Sequence, residues 1–296
     1  MGLHGYCLTI RNIVMRSISL KSYSKVNIGL QIMGKRPDGF HNINTIFQEI
    51  NFHDRIKLEK KDFGCDFSSN VDWLKNDDSN LCVKAWKQFS FKYEIGGVSI
   101  NLDKQIPQGS GLGGGSSNAA AVIKGLCQLY KIKPTYEELV SISKNLGADV
   151  SFFIKGGLQG AKGIGDILTQ LPGFIDGLYL LVIPKIKINT EWAYNNCKKI
   201  LDNPKEELNF IEFLKRKVIP FKFFENNFES IVVPAYPEIA GIKEKLLGCN
   251  SKFASLSGSG STVYGIFDDE AEAKTAESLF SSAYTTFIAR PIQNKL

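Results

Sequence analysis

Residues 106 to 126 read IPQGSGLGGGSSNAAAVIKGL, placing five glycines (Gly109, Gly111, Gly113, Gly114 and Gly115) within seven positions directly before an alanine-rich run. Glycine loses more conformational freedom on folding than any other residue, so such a cluster is retained where backbone bends sharply or approaches something closely. A flexible linker would continue in Gly and Ser, whereas this segment passes into strong helix formers over 117–129. The chemistry open to it is phosphate binding. A loop without side chains lets several N–H groups point inward, and a helix starting near Ser116 or Ser117 adds unpaired N–H groups and the positive end of its dipole. Gly109-x-Gly111-x-x-Gly114 also satisfies the dinucleotide fingerprint formally. Against that reading, Pro107 intervenes, the preceding strand alternates, and no acidic residue lies about 20 positions on to hold a ribose. The Walker pattern lacks its lysine after Gly114 or Gly115. Taken alone, the segment also fits a loop whose glycines merely permit tight packing.

The elements that must position this loop follow from patterning. SISLKSYSKVNIGLQIMGKRPDG holds β-rich runs ended by the turn signal Arg36-Pro37-Asp38-Gly39, and FHDRIKLEKK and YEIGGVSINLDKQI extend the strand-rich region. In the last of these, Val98, Ile100 and Leu102 alternate with polar residues, the period of an antiparallel strand with one wet face. Helices are expected over 79–89 and 117–130, the second apolar nearly all round and therefore buried. A third, over 135–146, opens on the capping box Thr135-Tyr136-Glu137-Glu138, with Gly147 as its stop. After the glycine-rich KGGLQGAKGIGDIL, the apolar strand LYLLVIP opens a second domain near residue 175. The aromatic stretch VIPFKFFENNFESIV follows, then a helix in YPEIAGIKEKLLG, a glycine-bounded strand in SLSGSGSTVYGIF, a helix over 270–283 and a last strand in YTTFIARPI. This order predicts an α+β chain of two domains, 17–175 and 176–296, with a cleft between them.

Composition bounds the function. The 296 residues are 43% hydrophobic and 22% charged, as in ordinary globular proteins. Thirty-six basic residues against 30 acidic leave a formal charge of +6, and no lysine or arginine block is present, so no nucleic-acid partner is expected and an acidic small molecule suits the balance. Six scattered cysteines without a Cys-x-x-Cys pair, and three histidines, give no zinc spacing and predict free thiols in a reducing cytoplasm. No apolar run approaches the ~20 residues of a membrane span, so no membrane partner is expected. The first 37 residues carry no acidic residue, a bias weakly similar to that of a plastid-type transit peptide. Residues 1–16 are read mainly as an extension upstream of the fold.

PQGSGLGGGSSNAA resembles the Pro-x-Gly-x-Gly-Leu-Gly-Gly-Gly-Ser-Ser motif of the GHMP kinases (galactokinase, homoserine kinase, mevalonate kinase and phosphomevalonate kinase). The triple-glycine form is closest to that of the members acting on 4-diphosphocytidyl-2-C-methyl-D-erythritol (CDP-methylerythritol). SKVNIGLQIMGKRPDGFHNINTIFQEI resembles the N-terminal signature of those members and NLGADVSFFIKGG their central one, while SLSGSGSTVYGIF resembles the third glycine motif of the superfamily. The four segments occur in the family's order and span nearly the whole chain beyond residue 16. Ser110 stands where alanine is usual, and Ser22-Tyr23 where Pro-Ala is more common.

The resemblance implies the two-domain GHMP kinase fold with its active site in the interdomain cleft. The implied reaction is transfer of the ATP γ-phosphate to the 2-hydroxyl of CDP-methylerythritol, giving the 2-phosphate and ADP, in the non-mevalonate route to isopentenyl diphosphate. Another GHMP small-molecule kinase, acting on mevalonate or homoserine, is the first alternative; a non-catalytic ATP-binding protein of the same fold is the second. Such transfer needs the γ-phosphate held, its charge balanced and the acceptor hydroxyl aligned and deprotonated. By resemblance the loop Pro107, Gly109, Ser110, Gly111, Leu112, Gly113, Gly114, Gly115, Ser116 and Ser117 holds ATP, with Asn80 and Lys104 bordering the adenine. Asp149, between apolar residues in LGADVSFF, becomes the general base, and partial desolvation is expected to raise its pKa. Its plainer alternative, without the resemblance, is a cap of the following helix. Lys25 corresponds to the family's lysine beside the base, with Asn27 on the same strand face to orient it or the substrate; unaided, Lys25 reads as a solvated strand residue.

For the acceptor, Phe40 and His41 resemble the family's cytidine-recognition pair, the ring stacking on the base and the imidazole bonding its edge. Tyr194 falls where a second stacking aromatic belongs, and Gly258 and Gly260 would close the cleft. Without the resemblance, Phe40 reads as core and His41 as a surface turn. Mg²⁺ is implied with ATP, with Ser117 as its candidate contact. The oligomeric expectation is a monomer or homodimer.

Overall fold

The computed structural model describes residues 15–202 and 206–293. Most of the N-terminal extension expected over 1–16, together with any targeting role for it, therefore falls outside the described residues. The first half of the chain folds as β1 (Ser17–Lys35), β2 (His41–Lys61), β3 (Cys65–Ser69), α1 (Leu81–Tyr93), β4 (Gly97–Asp103), α2 (Gly114–Tyr130), α3 (Tyr136–Lys144), α4 (Val150–Lys155), β5 (Leu158–Lys162) and β6 (Ile167–Leu171). The second half follows as β7 (Leu178–Ile183), α5 (Thr190–Asn195), α6 (Lys198–Asp202), α7 (Phe210–Leu214), α8 (Glu229–Ala235), α9 (Pro237–Gly248), β8 (Phe253–Leu256), β9 (Val263–Phe267), α10 (Glu270–Phe280) and β10 (Thr285–Ala289).

Two sheets carry the architecture. The first runs β3-β4-β2-β5-β6, with β1 along the other edge of β2; the second runs β10-β7-β9-β8. β2 is long enough to pair with β5 through Thr45–Gln48 and with β4 through Arg55–Lys61, while β1 covers it over nearly its whole length. The β1–β2 register shifts between Tyr23 and Ser24 and again between Ile28 and Leu30, bracketing Lys25 and Asn27. Such irregularities re-aim side chains.

Three apolar clusters explain the layering. Leu58, Ile100 and Leu102 of the first sheet pack on Phe89 of α1 and on Val122, Leu126 and Leu129 of α2. In β7, Leu178, Leu180 and Val182 face α9 and α10, whereas Tyr179, Leu181 and Ile183 face a cluster shared with Val26, Ile28 and Ile50 of the first sheet. A strand apolar on both faces is the signature of complete burial, which is how LYLLVIP reads. The strand β1 divides likewise: Val26 and Ile28 join the shared cluster, and Leu30 and Ile32 join that of the second sheet.

Element boundaries depart from the pattern-based reading at several points: α1 covers 81–93 rather than 79–89, and α10 ends at Phe280 rather than at 283. Helix α2 begins at Gly114, ahead of the alanine run, because Gly113 in left-handed backbone (φ 71°) supplies the turn into it. The capping box of α3 is formed in both directions, but the helix stops at Lys144 rather than running to Gly147. KGGLQGAKGIGDIL holds β5 and the start of β6, which pair antiparallel. SLSGSGSTVYGIF holds two strands, β8 and β9, around a loop over 257–262. No helix among the described residues is long and apolar enough to cross a membrane.

Candidate active site

The glycine loop is fixed by backbone contacts on two sides. Leu112 O accepts from Lys25 N at 3.0 Å, Gly111 O accepts from the Ser257 hydroxyl at 2.9 Å, and Ser110 O accepts from Thr262 N at 3.1 Å. Gly111 has φ +77°, and a Cβ there would lie 1.9 Å from Ser257 O, so a side chain at this position would separate the two loops. Helix α2 has no side-chain cap and no acidic residue in its first turn. Its N–H groups and positive dipole end are left for an anion.

The candidate residues collect in a cleft of about 530 Å³, a volume within the usual range for small-molecule sites. Lys25, Asn27, Asp149, Phe40, His41 and Tyr194 all line it, with Gly111, Gly113 and Gly258. Asp149 sits at the N-cap position of α4, yet its carboxylate makes no cap bond. It lies instead 3.7 Å from Lys25 Nζ, which donates to Asn27 Oδ1 at 2.5 Å and stands 5.0 Å above the Phe47 ring. Asn27 Nδ2 in turn donates to Thr45 Oγ1 at 3.1 Å, so the asparagine orients the lysine as its strand position suggests.

Burial falls on the opposite partner from the one expected. The Lys25 side chain is 5% exposed and that of Asp149 33% exposed, so the environment that penalises charge surrounds the amine. Desolvation pushes the Lys25 ammonium below its ordinary pKa, with the Asp149 carboxylate opposing that fall.

In the same cleft Phe40 is 59% exposed, which removes the core reading for it, while His41 is buried. The His41 and Tyr194 rings stack at 5.0 Å and 17°, and Tyr194 rests edge-on against Phe228 at 4.9 Å. Tyr194 thus already has a stacking partner in His41. Burial holds the His41 imidazole below its ordinary pKa, and the Lys35 charge adds to this.

The remaining candidates lie across the loop. Lys104, Pro107 and Ser110 line a second hollow, with Trp73, Lys185, Lys187 and Ser261. Lys104 Nζ is bonded to Asp54 Oδ2 at 2.5 Å and is buried with it. Asp54 also accepts from Gln105 N and Ile106 N at 2.7 Å and from Asn118 Nδ2 at 2.8 Å. One carboxylate therefore ties the chain entering the glycine loop to the helix leaving it. Ser117 Oγ is 2.6 Å from Ser22 Oγ and buried, so its hydroxyl turns away from the loop. Asn80 caps α1, accepting from Cys82 N at 2.9 Å and donating to Lys75 O at 3.0 Å, which engages both ends of its carboxamide. Gly109 and Gly115 lie on the open side of the loop, Ser116 is half-buried, and Gly260 packs against Leu256 and Ile188.

Asp54, Trp73, Thr190 and Glu191 were not legible as site residues from the sequence. Asp54 and Glu191 sit in unremarkable polar contexts, and Trp73 lies in an irregular stretch. Spacing carried no signal for any of them.

Residues 80–157 match the GHMP kinases N terminal domain and residues 221–285 the GHMP kinases C terminal domain. A 4-diphosphocytidyl-2-C-methyl-D-erythritol kinase of Acetivibrio thermocellus is 38% identical over 284 residues, 94% of this chain and 100% of the relative. The chain belongs to the GHMP kinase family. A second relative of the same name, from Chlorobium luteolum, is 39% identical to this GHMP kinase over 94% of it and 98% of the relative. A solved 4-(cytidine 5'-diphospho)-2C-methyl-D-erythritol kinase superposes with a TM-score of 0.79 at 27% identity, covering 93% of this GHMP kinase and 99% of that chain. Homoserine kinase from Cytophaga hutchinsonii, at 18% identity and TM-score 0.67, shares the fold, covering 99% of this chain and 98% of that one. This GHMP kinase is a small-molecule kinase with ATP as phosphate donor.

Proposed function

We propose that this kinase phosphorylates the 2-hydroxyl of CDP-methylerythritol, releasing ADP, in the non-mevalonate route to isopentenyl diphosphate. The observation that carries the reading is one cleft lined at once by an exposed aromatic, an imidazole and a lysine–aspartate pair. Relatives of that name, matched over nearly their whole length, support it.

In this reading the glycine loop is the wall between two hollows. ATP lies on the side of Lys104, Pro107, Ser110 and Trp73, with its phosphates over Gly109 to Ser116 and the N-terminus of α2. The acceptor lies on the side of Lys25 and Asp149, its cytosine on Phe40 and bonded by His41, which Tyr194 backs. Asp149 takes the proton of the 2-hydroxyl and Lys25 balances the charge that develops as the bond to phosphorus forms. The loop over 257–262 reaches both hollows, through Gly258 on one and Ser261 on the other. The chain is divided at 175/176, between the end of β6 and the start of β7.

Mg²⁺ belongs in this reading as the counter-ion of ATP, whose phosphate charge it would offset beside the glycine loop. Among the described residues no cluster of three or more His, Cys, Asp or Glu side chains could hold a metal, and the Ser117 hydroxyl is already bonded to Ser22. In this reading the ion arrives with the nucleotide, and Ser117, whose hydroxyl is shared with Ser22, stays its candidate contact.

The test is ADP release with Mg-ATP and, in parallel, CDP-methylerythritol, uncytidylylated methylerythritol phosphate, mevalonate and homoserine. Turnover confined to the first is expected. Turnover on another alcohol would keep the fold and the lysine–aspartate chemistry but discard cytosine reading by Phe40 and His41. ATP binding without turnover on any acceptor would favour a non-catalytic protein.

A further inference from the structure

A short segment between the two sheets holds three parts of the cleft at once. Leu30 N donates to Glu225 O at 2.9 Å and Asn227 N donates to Leu30 O at 2.8 Å, a parallel bridge onto the free edge of β1. The Asn227 carboxamide oxygen accepts from Ile32 N at 2.9 Å on the same strand. Asn226 turns the other way. Its carboxamide nitrogen donates to Leu256 O and Gly258 O, both at 2.8 Å, and its oxygen accepts from Phe228 N at 3.0 Å. Asn226 is 3% exposed, so these three bonds satisfy it without water. Phe228 then meets the edge of Tyr194, whose face carries His41.

From this geometry we infer that Asn226 is a positioning residue: its two amide hydrogens hold the 256–258 backbone so that the loop over 257–262 stays seated on the glycine loop beside Lys25. The inference rests on the reading of Lys25 and Asp149 as the reacting pair. Its physical basis is directional. Asparagine supplies two donors from one nitrogen, and two carbonyls two residues apart on a turn are what that nitrogen meets. Ser257, between those carbonyls, donates to Gly111 O and accepts from Asn27 N at 3.4 Å, so moving it loosens the wall of the cleft and the strand carrying the lysine together. Misplacement by about 1 Å far from reacting atoms is enough to cost about 10²-fold in rate. Because the next residues support the Tyr194–His41 stack, the same segment also joins the base-binding end of the cleft to its phosphate end.

Asn226→Asp and Asn226→Ala separate this role from a merely structural one. The aspartate keeps the size and the oxygen facing Phe228 N but turns both donors into acceptors; the alanine removes all three bonds. Hydrogen exchange of the peptide over 255–263, read by mass spectrometry on the protein alone, is expected to quicken by at least about tenfold in both variants, with α2 and α10 unchanged. Turnover is expected to fall about 10–100-fold, since the loop over 257–262 reaches both hollows and is bonded to the glycine loop between them. Unchanged exchange over 255–263, or quickening spread evenly over the chain, would overturn the inference, as would unaltered turnover. If neither variant folds, the wild-type protein decides: Ser257, Gly260 and Thr262 amides that exchange as fast as free peptide would exclude a seated loop. Exchange needs no acceptor, so a failure of the proposed substrate leaves this result readable by itself.

Discussion

Lys25 Nζ and Asp149 Oδ2 stand 3.7 Å apart at the mouth of the glycine loop, and only the lysine of the two is buried. The carboxylate is a third exposed to the cleft, while the amine is held from behind by Asn27 and the Phe47 ring. In the proposed reaction the pair meets two of the requirements of phosphoryl transfer to an alcohol, a base that reaches its substrate and a cation in a low-dielectric wall.

Removing the carboxylate tests the first requirement. Asp149→Ala is expected to lower turnover by about 10²–10⁴-fold with ATP binding, read by calorimetry, nearly intact. Because Asp149 makes no cap bond to α4, its loss should leave the melting temperature almost unchanged. Unchanged turnover would exclude it as the base.

The second requirement has a pH signature. Burial lowers the Lys25 pKa in the folded protein, so as pH rises the folded state gives up this proton before the unfolded chain does. The alkaline fall in turnover is therefore expected to begin below the ordinary lysine value of 10.5. Between the two pKa values the unfolded chain binds more protons, so stability rises with pH there, and below that window the charged amine is a net cost. Lys25→Met is thus expected to melt at least as high as the wild type at pH 8 and to be inactive. A lower melting temperature would mean that the ion pair stabilises the fold after all.

His41 carries the opposite expectation for the acceptor. With its pKa lowered by burial, the imidazole stays neutral as pH falls through its ordinary value of 6.5 and charges only further down. The KM for CDP-methylerythritol should therefore be flat across pH 6.5 and rise below it. Replacing His41 by alanine should weaken the cytidylylated acceptor far more than ATP; equal losses would rule out base reading by this residue.

Asp54 offers a stability test of the loop. Asp54→Asn leaves Lys104 buried without its counter-charge and withdraws one acceptor from a group that takes four hydrogen bonds. A loss of about 3–5 kcal/mol is expected in denaturant unfolding, with a raised KM for ATP, and Lys104→Met in the same chain should restore much of the stability. No recovery in the double variant would place the cost in the backbone bonds rather than in the charge.

The sequence carried different parts of this picture unequally. Helix α3 was legible to its first residue because a capping box is a local device, and β7 because an unbroken apolar run has few other fates. The gathering of Lys25, Asp149, Phe40 and His41 came through resemblance, since on spacing alone each had a plainer reading. The start of α2 was misplaced because glycines in its first turn weaken the helical signal that the turn at Gly113 restores. Asp54 and Asn226 were missed for a different reason. The groups bonded by the Asp54 carboxylate and by the Asn226 amide nitrogen lie 30 or more positions away in the chain, and a polar residue announces nothing of such distant partners until the strands are paired.

β1 supplies Val26 and Ile28 to one apolar cluster and Leu30 and Ile32 to another, so a single strand made early in synthesis belongs to both halves of the molecule. A fragment starting after residue 175 would leave its sheet with an unfilled gap where Leu30 and Ile32 pack. The halves are consequently not interchangeable cassettes. A chimera that grafts the C-terminal half of this enzyme onto a relative must carry residues 28–35 along, or it inherits an acceptor pocket built against a foreign wall.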